Sequence, residues 1–356
     1  MRFSTEPPSP AAPPASNVAI VWCNLGSPDA PTARAMRPYL AEFLADPRVV
    51  ELPRALWLPI LHGIILRTRP ARSAAKYSRI WTPQGAPLKQ WSARQAVLLG
   101  DALAERGLPI QVRAAMRYGR PSIAAELDAL KRAGARRILV LQGYPQYSDA
   151  TTASVIDAVN AWCARTRVLP ELRFVGHYHD DPLYIRALAQ SVRAHWQRNG
   201  RGDLLLMSFH GIPVRAITQG DPYEAQCHRT AQLLAQHLQL PATQYRVTFQ
   251  SRFGNARWLE PSTARTLSTL GQNSATHPAA GTGSEGAARV DVICPGFVSD
   301  CLETLEEIAM EGRDTFMRAG GRTFHYIPCL NGRADWIDAL ATLAQRHLAG
   351  WIEASD

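Results

Sequence analysis

Eight short apolar runs alternate with amphipathic segments along this chain, and the alternation limits its fold more than any other feature. The runs begin at Val18, Ile110, Arg137, Leu172, Asp203, Tyr245, Val290 and Thr323. Segments between them, such as RPSIAAELDALKRAGA, have the apolar spacing of helices. Parallel strands that helices cover on both faces have this pattern. The sequence therefore predicts an α/β fold with two four-stranded parallel halves that divide near Asp180.

The length of 356 residues suits roughly two domains of ~150 residues each. We expect residues 1–17 to be a disordered leader, because they are rich in proline and lack the apolar core of a signal peptide. Residues 18–179 and 180–330 are the predicted N-terminal and C-terminal α/β domains. Within the second, residues 271–288 are poor in large apolar side chains and predict a flexible insertion. Residues 331–356 are predicted to carry a C-terminal helix that packs back on the N-terminal domain.

Part of this insertion, GTGSEG, has the spacing of a dinucleotide-binding motif. The motif works only where it follows a strand and opens a helix. Here a polar loop precedes it and a strand follows, so we assign it no function.

Charge and cysteine content exclude several classes of protein. The net charge of +9 is carried almost wholly by arginine and is spread along the chain, which argues against a nucleic-acid partner. Arginine forks suit carboxylates and phosphates. The six cysteines form no CxxC pair, so no zinc or iron–sulfur site is indicated, and we expect reduced thiols in the cytoplasm.

Two segments share one plan of strand, proline-containing turn, Ser-Asp and helix. They are ILVLQGYPQYSDATTAS and VDVICPGFVSDCLETLEE. Two halves of one architecture would produce this similarity, and so would the common chemistry of strand-to-helix turns.

His210 ends the apolar run LLLMSFH, just before Gly211 and Pro213 break it. Ligands of open parallel sheets bind beyond the carboxyl ends of the strands. A histidine there is a usable base or metal ligand because its pKa is near neutral. The residues alone leave this role and that of a simple turn histidine equally open.

Glu303, Glu307 and Glu311 are spaced by four residues, which places them in one stripe on a helix. A solvated acidic face would explain the stripe, and so would a pathway for cations. Asp300 and Glu303 also have the spacing of a helix capping box. Glu303 is therefore a cap or a functional carboxylate.

Residues 56–72 combine large apolar side chains with Arg67, Arg69 and Arg72. This segment, here called the apolar lip, is either core or a surface for a greasy acidic ligand or a membrane. Its apolar stretch from Leu56 to Leu66 has only 11 residues and is too short to span a bilayer. A second segment, HYHDD (177–181), is rich in metal-ligand types, but we expect a strand-to-helix turn whose side chains do not converge.

Taken together, the chain resembles the ferrochelatases, which insert ferrous iron into a porphyrin. The resemblance runs from about Val18 to Leu348, and SDCLETLEEI is most similar to proteobacterial members. It rests on NLGSPDAP, KYSRIW, MRYGRP, QGYPQYSDATTAS, SFHGIP with GDPY, TFQSRFGNARWLEP and GFVSDCLETLEEI.

The resemblance implies two similar Rossmann-like domains with a porphyrin cleft between them. It also implies that His210 and Glu303 are the catalytic and metal-binding pair and that Glu307 and Glu311 continue an acidic relay. The implied porphyrin-binding residues are Leu25, Arg69, Tyr77, Arg117, Tyr118, Tyr147, Ser251, Arg252 and Trp258. Porphyrin and ferrous iron are the implied partners, with protoheme as product. The residues of the apolar lip add peripheral membrane contact as an expectation. We expect a monomer.

The chain departs from the animal ferrochelatases at three points. Cys301 replaces a histidine, Ala86 replaces a serine beside the propionate, and no cysteine follows Cys329. We therefore expect no iron–sulfur cluster and no cofactor beyond the substrate iron. A coproporphyrin ferrochelatase, another tetrapyrrole chelatase and a non-catalytic heme or metal carrier remain alternatives.

Overall fold

The computed structural model describes residues 17–252, 254, 256–276 and 287–352. Nearly all of the predicted leader and the whole GTGSEG segment lie outside these residues. The chain forms two compact units. In the described residues, unit 1 comprises 17–144, Ser148–Gly176 and 332–352, and unit 2 comprises Pro145–Tyr147 and His177–Asn331.

Unit 1 contains a four-stranded parallel sheet with the strand order β2-β1-β3-β4. Its strands are β1 (Val18–Asn24), β2 (Gln111–Met116), β3 (Arg137–Gln142) and β4 (Glu171–Phe174). Its α-helices are α1 (Ala33–Leu44), α2 (Arg54–Ile60), α3 (Leu66–Ile80), α4 (Pro87–Glu105), α5 (Ile123–Arg132), α6 (Ser154–Cys163) and α12 (Ala334–His347). Helix α12 packs on α4 within the unit.

Unit 2 repeats this plan with the strand order β6-β5-β7-β8, again all parallel. Its strands are β5 (Leu204–His210), β6 (Tyr245–Gln250), β7 (Arg289–Ile293) and β8 (Thr323–Tyr326). Its α-helices are α7 (Pro182–Asn199), α8 (Val214–Thr218), α9 (Tyr223–Leu238), α10 (Thr263–Thr276) and α11 (Arg313–Arg318), with a 3-10 turn at Ala242–Gln244. The predicted α/β class with two similar four-stranded parallel sheets is confirmed.

The central strands are apolar because helices bury both of their faces. All seven residues of β1 are buried, and so are the first six residues of β5. Strands of this kind are near-continuous apolar runs without alternation. Polar residues then begin the helices: the side chains of Thr32, Ser122 and Asp181 accept backbone N–H groups at the starts of α1, α5 and α7.

The repeated Ser-Asp segments occupy equivalent positions in the two units. Each follows the third strand in chain order of its sheet and continues into a π-helix, at Asp149–Ala153 after β3 and at Glu303–Gly312 after β7. A third π-helix, Leu61–Ile65, lies between α2 and α3. Segments with i to i+5 hydrogen bonding are rare and frequently mark functional sites. The similarity between the two segments thus reflects two halves with one architecture.

Two local expectations are wrong. Residues 271–276 are not part of a flexible insertion, because Gly271–Thr276 complete α10, and the rest of the predicted insertion at 277–286 lies outside the described residues. A side chain at Gly271 would lie 2.7 Å from the Phe316 carbonyl, so glycine here permits close packing rather than flexibility. In HYHDD, ligand atoms of His177, His179 and Asp180 lie within 4.8 Å of one another. Residues two apart in an extended backbone project to the same face, so the side chains of the two histidines can converge.

Candidate active site

His210 stands at the carboxyl end of β5, half-buried, with its ring oriented by its own turn. Its Nδ1 lies 2.6 Å from the carbonyl oxygen of Gly211. Because a carbonyl can only accept, Nδ1 carries a proton, and in the neutral ring Nε2 has the free lone pair. The ring is therefore both a turn histidine and an oriented base or metal ligand.

Gly211 must lack a side chain for this turn to form. A Cβ there would lie 2.8 Å from the Gln250 carbonyl oxygen and 3.2 Å from the Trp258 ring. Trp258 is held against the turn by the backbone bond from Leu259 N–H to the Ile212 carbonyl. Its indole N–H is buried and has no partner within the described residues.

Glu303 begins the long π-helix of unit 2, and it does not act as a helix cap. The backbone N–H of Cys301 donates to Thr304 Oγ1 at 3.0 Å, and that of Asp300 donates to Asn331 Oδ1 at 2.9 Å. The capping-box alternative is therefore wrong. The Glu303 carboxylate instead accepts from the thiol of Cys301, whose pKa burial raises, so that it stays protonated.

Asp300 accepts several hydrogen bonds at the same turn. Its carboxylate accepts from the hydroxyl groups of Tyr326 and Thr304, from the Asn331 side-chain amide and from the backbone N–H of Cys329. These bonds fix the turn from which the π-helix starts. The sequence pattern suggested Asp300 only as a helix cap, and it did not single out Thr304.

Glu307 accepts two hydrogen bonds from Ser251, a predicted porphyrin-binding residue. The Ser251 N–H donates to Oε1 at 2.6 Å, and its hydroxyl donates to Oε2. Burial raises the pKa of Glu307. The hydrogen bonds from Ser251 and the charge of His210 lower this pKa, whereas the charge of Glu303 raises it, and the net effect is an increase. His210, Glu303 and Glu307 are therefore electrostatic neighbours in unit 2.

The acidic stripe becomes more exposed along the chain. Glu303 and Glu307 are half-buried, whereas Glu311 is exposed at the surface. Glu306, which was not singled out from the sequence, is only 1% exposed. The expected helix is π-helical, with Glu303, Glu307 and Glu311 all on it. A set of carboxylates that extends from the buried site to solvent can carry cations or protons.

Gln250 connects β5 and β6 to the π-helix. It accepts from the Ser208 hydroxyl at 2.8 Å and donates to the Glu303 carbonyl at 2.8 Å. Ser208 and Thr248 both bond to Thr263, which extends this buried chain. Only the pairing of β5 with β6 brings these residues together, so no local sequence pattern predicts the contact.

The predicted porphyrin residues of unit 1 are largely engaged in its interior. Arg117 donates to the Ser154 carbonyl at 2.8 Å and forms a buried ion pair with Asp46. Tyr118 is fully buried, and its hydroxyl donates to Asp46 at 2.8 Å. Tyr77 is 6% exposed. Direct ligand contact is therefore not supported for Tyr118 in this conformation, and its hydroxyl orients Asp46 instead.

The other predicted porphyrin residues are more accessible. Leu25, Arg69 and Tyr147 are half-buried, and Arg252 is exposed. Burial lowers the pKa of Arg69. In unit 2, the backbone N–H of Tyr147 donates to Gln226 at 2.7 Å, which fixes the turn that carries its ring.

Comparison with known proteins gives one consistent family. The family model described as Ferrochelatase matches residues 17–348. Curated ferrochelatases from Methylibium petroleiphilum and Polaromonas sp. are 61% and 58% identical to the chain. The matches cover 95% and 99% of this chain and 90% and 93% of theirs. A third, from Azoarcus sp., is 55% identical over 99% of this chain and 94% of its own.

Two solved structures share the fold at low sequence identity. SirB from Bacillus subtilis with Fe3+ has a TM-score of 0.51 at 12% identity, covering 75% of this chain and 93% of its own. The sirohydrochlorin chelatase SirB from Bacillus subtilis subspecies spizizenii, in complex with cobalt, also has a TM-score of 0.51. It is 10% identical and covers 93% of this chain and 94% of its own.

Proposed function

The chain belongs to the ferrochelatase family, and we propose that it inserts ferrous iron into protoporphyrin IX to form protoheme. The observation that carries the proposal is the orientation of His210. Its Nδ1 proton is committed to the Gly211 carbonyl, so the Nε2 lone pair is available at a strand end that Glu303 and Glu307 neighbour. One oriented imidazole beside carboxylates suits both tasks of the reaction, metal ligation and proton removal.

The reaction exchanges one ferrous ion for two pyrrole protons. His210 and Glu303 supply the imidazole and carboxylate ligands that ferrous iron accepts. With so few ligands the iron is not held in a closed cage and can pass to the four ring nitrogens. The two protons leave through His210 and the acidic stripe, in which Glu307 is half-buried and Glu311 is exposed to solvent.

Porphyrin binding involves the accessible predicted residues. The aromatic rings of Tyr147 and Trp258 and the apolar side chain of Leu25 suit an apolar macrocycle, and the guanidinium groups of Arg69 and Arg252 suit its propionates. Arg117 contributes through its ion pair with Asp46, which fixes the end of β2. Binding energy gained along the ring can bend it and expose the nitrogen lone pairs.

The apolar lip supports a further proposal of peripheral membrane contact, at a cytoplasmic location. Leu56, Ile60 and Ile64 are 66%, 42% and 58% exposed and follow one another at helical spacing of four. Arg67 and Arg72 next to them are exposed cations. Apolar side chains beside arginines suit the interface of an anionic bilayer. In the described residues no helix is long and apolar enough to cross one.

The proposal is tested by incubating the purified protein with Fe²⁺ and protoporphyrin IX under anaerobic conditions and following absorbance. We expect the metalloporphyrin spectrum to appear, faster than with coproporphyrin. The His210→Ala variant should still bind porphyrin but form product at least ~100-fold more slowly. A carrier would instead bind preformed heme and lose that affinity in the variant, and no product from the native chain would refute the proposal.

A further inference from the structure

A second cluster of metal-ligand side chains lies in unit 2, away from His210. One nitrogen each of His195 and His325 and one oxygen of Asp291 lie within 4.8 Å of one another. Asp291 pairs with Leu205 across the sheet, and His210 follows five residues later on β5. At ~3.3 Å per residue, the cluster lies roughly 17 Å from the candidate active site along the strand.

The parallel sheet and its covering helix create this cluster. Asp291 on β7 and His325 on β8 are register partners, so their side chains project from the same face. Their Oδ1 and Nδ1 atoms are 3.2 Å apart. His195 on α7 places its Nε2 4.0 Å from the same Oδ1.

Hydrogen bonds to one oxygen orient the aspartate, while Oδ1 faces His325 and, at 4.0 Å, the Nε of Arg289. Its other oxygen, Oδ2, accepts from the Trp196 indole N–H at 2.7 Å and from the Gly202 N–H at 2.8 Å. A Cβ on Gly202 would lie 2.8 Å from the carboxylate, so glycine is required for this approach. Asp291 itself is 1% exposed. Two hydrogen bonds on one oxygen aim the second oxygen at the two imidazoles.

His195 presents an unpartnered nitrogen to the cluster. The residue is 6% exposed, and its Nε2 is buried with no hydrogen-bond partner in the described part of the chain. Its other nitrogen lies 3.2 Å from the Asn199 side-chain amide, which fixes the ring. Burial lowers the pKa of His195, and a neutral imidazole is the form that binds metals.

His325 Nδ1 faces two groups that it cannot satisfy together. Asp291 Oδ1 at 3.2 Å requires a proton on this nitrogen, whereas the Arg289 guanidinium at 3.3 Å requires a lone pair. A cation bound between Nδ1 and Oδ1 would use a lone pair from each and remove the conflict. Arg289 has other partners in the carbonyls of Asn199 and Gly200.

We propose that His195 Nε2, His325 Nδ1 and Asp291 Oδ1 form a binding site for a divalent transition-metal ion of the zinc or ferrous class. Two imidazoles and one carboxylate are a common ligand set for these ions. Ligand atoms on a tetrahedral zinc ion are about 3.3 Å apart, given bonds of ~2.0–2.1 Å. The 3.2 Å pair already fits, and the 4.0 Å pair needs only a small movement of His195.

Occupancy of this site would join α7 to β7 and β8 and stabilise unit 2, a role separate from iron insertion. The His325 side chain is 29% exposed, which leaves a route for the ion and a position for a water ligand. Arg289 repels the ion and so weakens its affinity. Replacing Arg289 should therefore tighten binding, an effect that a purely structural cluster would not show.

The test is a calorimetric titration of Zn²⁺ alone into a protein that carries His210→Ala and His177→Gln. These changes weaken binding at the candidate active site and at the exposed histidine of the 177–180 turn. We expect one saturable site. Adding His325→Gln should weaken it at least ~100-fold, since even outer-shell changes cost 10–100-fold.

Matched variants separate a metal site from general damage. His237→Gln, at an exposed histidine of α9, should leave Zn²⁺ affinity unchanged, and Arg289→Gln should raise it. Adding Zn²⁺ should raise the Tm of the protein, and His325→Gln should abolish this increase, with each protein compared with its own Tm in chelator. Zn²⁺ affinity that His325→Gln does not change, or no saturable binding at all, would overturn the proposal.

Discussion

Ser251 holds both carboxylate oxygens of Glu307, one through its backbone N–H and the other through its hydroxyl. The backbone of Ser251 is left-handed, with φ of 65°, an uncommon conformation for a residue with a side chain. Both hydrogen bonds to Glu307 form in this backbone conformation. They keep the pKa of this partly buried carboxylate, next to His210, lower than burial alone would give.

Removing the Ser251 hydroxyl should therefore change the pH dependence of iron insertion. The hydrogen bond favours the ionised form of Glu307, so Ser251→Ala raises the pKa of that carboxyl. If Glu307 accepts protons, the acidic limb of the pH–rate profile moves upward by about one pH unit.

Ser251→Gly should give the same displacement, because glycine also lacks the hydroxyl while it tolerates positive φ. Ser78→Ala, at an exposed helical serine, should leave the profile unchanged. An unmoved acidic limb in both Ser251 variants would show that Glu307 does not limit the rate.

His210→Ala and Glu303→Gln should each lower kcat for iron insertion by about 10²–10⁴-fold, the usual effect of losing a general base. Porphyrin affinity, measured by fluorescence quenching, should change little, because neither side chain is proposed to hold the ring's periphery. Glu311→Gln, at the exposed end of the stripe, should cost far less. A His210 variant with near-native kcat would contradict the assignment.

Asp46→Ala should destabilise the fold by about 3–5 kcal/mol, since it leaves Arg117 without its buried partner. Burial raises the pKa of Asp46. Hydrogen bonds from Ser154, Arg48 and Tyr118 and the charge of Arg117 together lower this pKa by more than burial raises it, so the net change is a decrease. Its stabilisation is thus present above the unfolded pKa of ~3.9 and is lost as pH falls through the folded value.

Urea denaturation at pH 7 and at increasingly acidic pH measures this difference, which should shrink as Asp46 is protonated. Asp29→Ala is the matched control. Its pair with Lys89 is exposed, so the change should cost at most ~1 kcal/mol. Equal losses in the two variants would argue against a special role for the buried pair.

Gln250→Leu should lower kcat through misplacement of Glu303, whose carbonyl accepts from this amide. The unpaired groups left behind also cost about 1–3 kcal/mol of stability. Thr248→Val, further along the same buried chain, should affect stability but not kcat. Comparing kcat with unfolding free energy for both variants separates positioning from stability, and equal kcat losses would refute a positioning role.

Leu56→Ser combined with Ile64→Ser should abolish binding to vesicles that contain anionic lipid, without loss of iron insertion in detergent. Co-sedimentation at low and high salt measures the effect, and salt should weaken native binding because Arg67 and Arg72 contribute charge. Val97→Ser, at an exposed apolar residue outside the lip, is the control. Vesicle binding that survives the double change would exclude the lip.

Much of the fold was determined by the sequence itself. Buried parallel strands must be apolar throughout, and helices that cover them must be amphipathic, so the alternation of runs such as that of β5 with helical segments predicts two parallel halves. His210 could be singled out because strand ends are where sheets of this class bind ligands. The family also followed from motifs whose order along the chain is fixed.

The tertiary structure decided how these residues are used. The Glu303 carboxylate does not cap the helix, because Thr304 and Asn331 accept the backbone N–H groups that a capping side chain would bind. The sequence pattern also does not predict that the Tyr118 ring is buried or that the Asp291 carboxylate converges with His195 and His325. Both features arise from strand register and helix packing. Contacts between distant segments leave no local periodicity, so a sequence pattern cannot specify them.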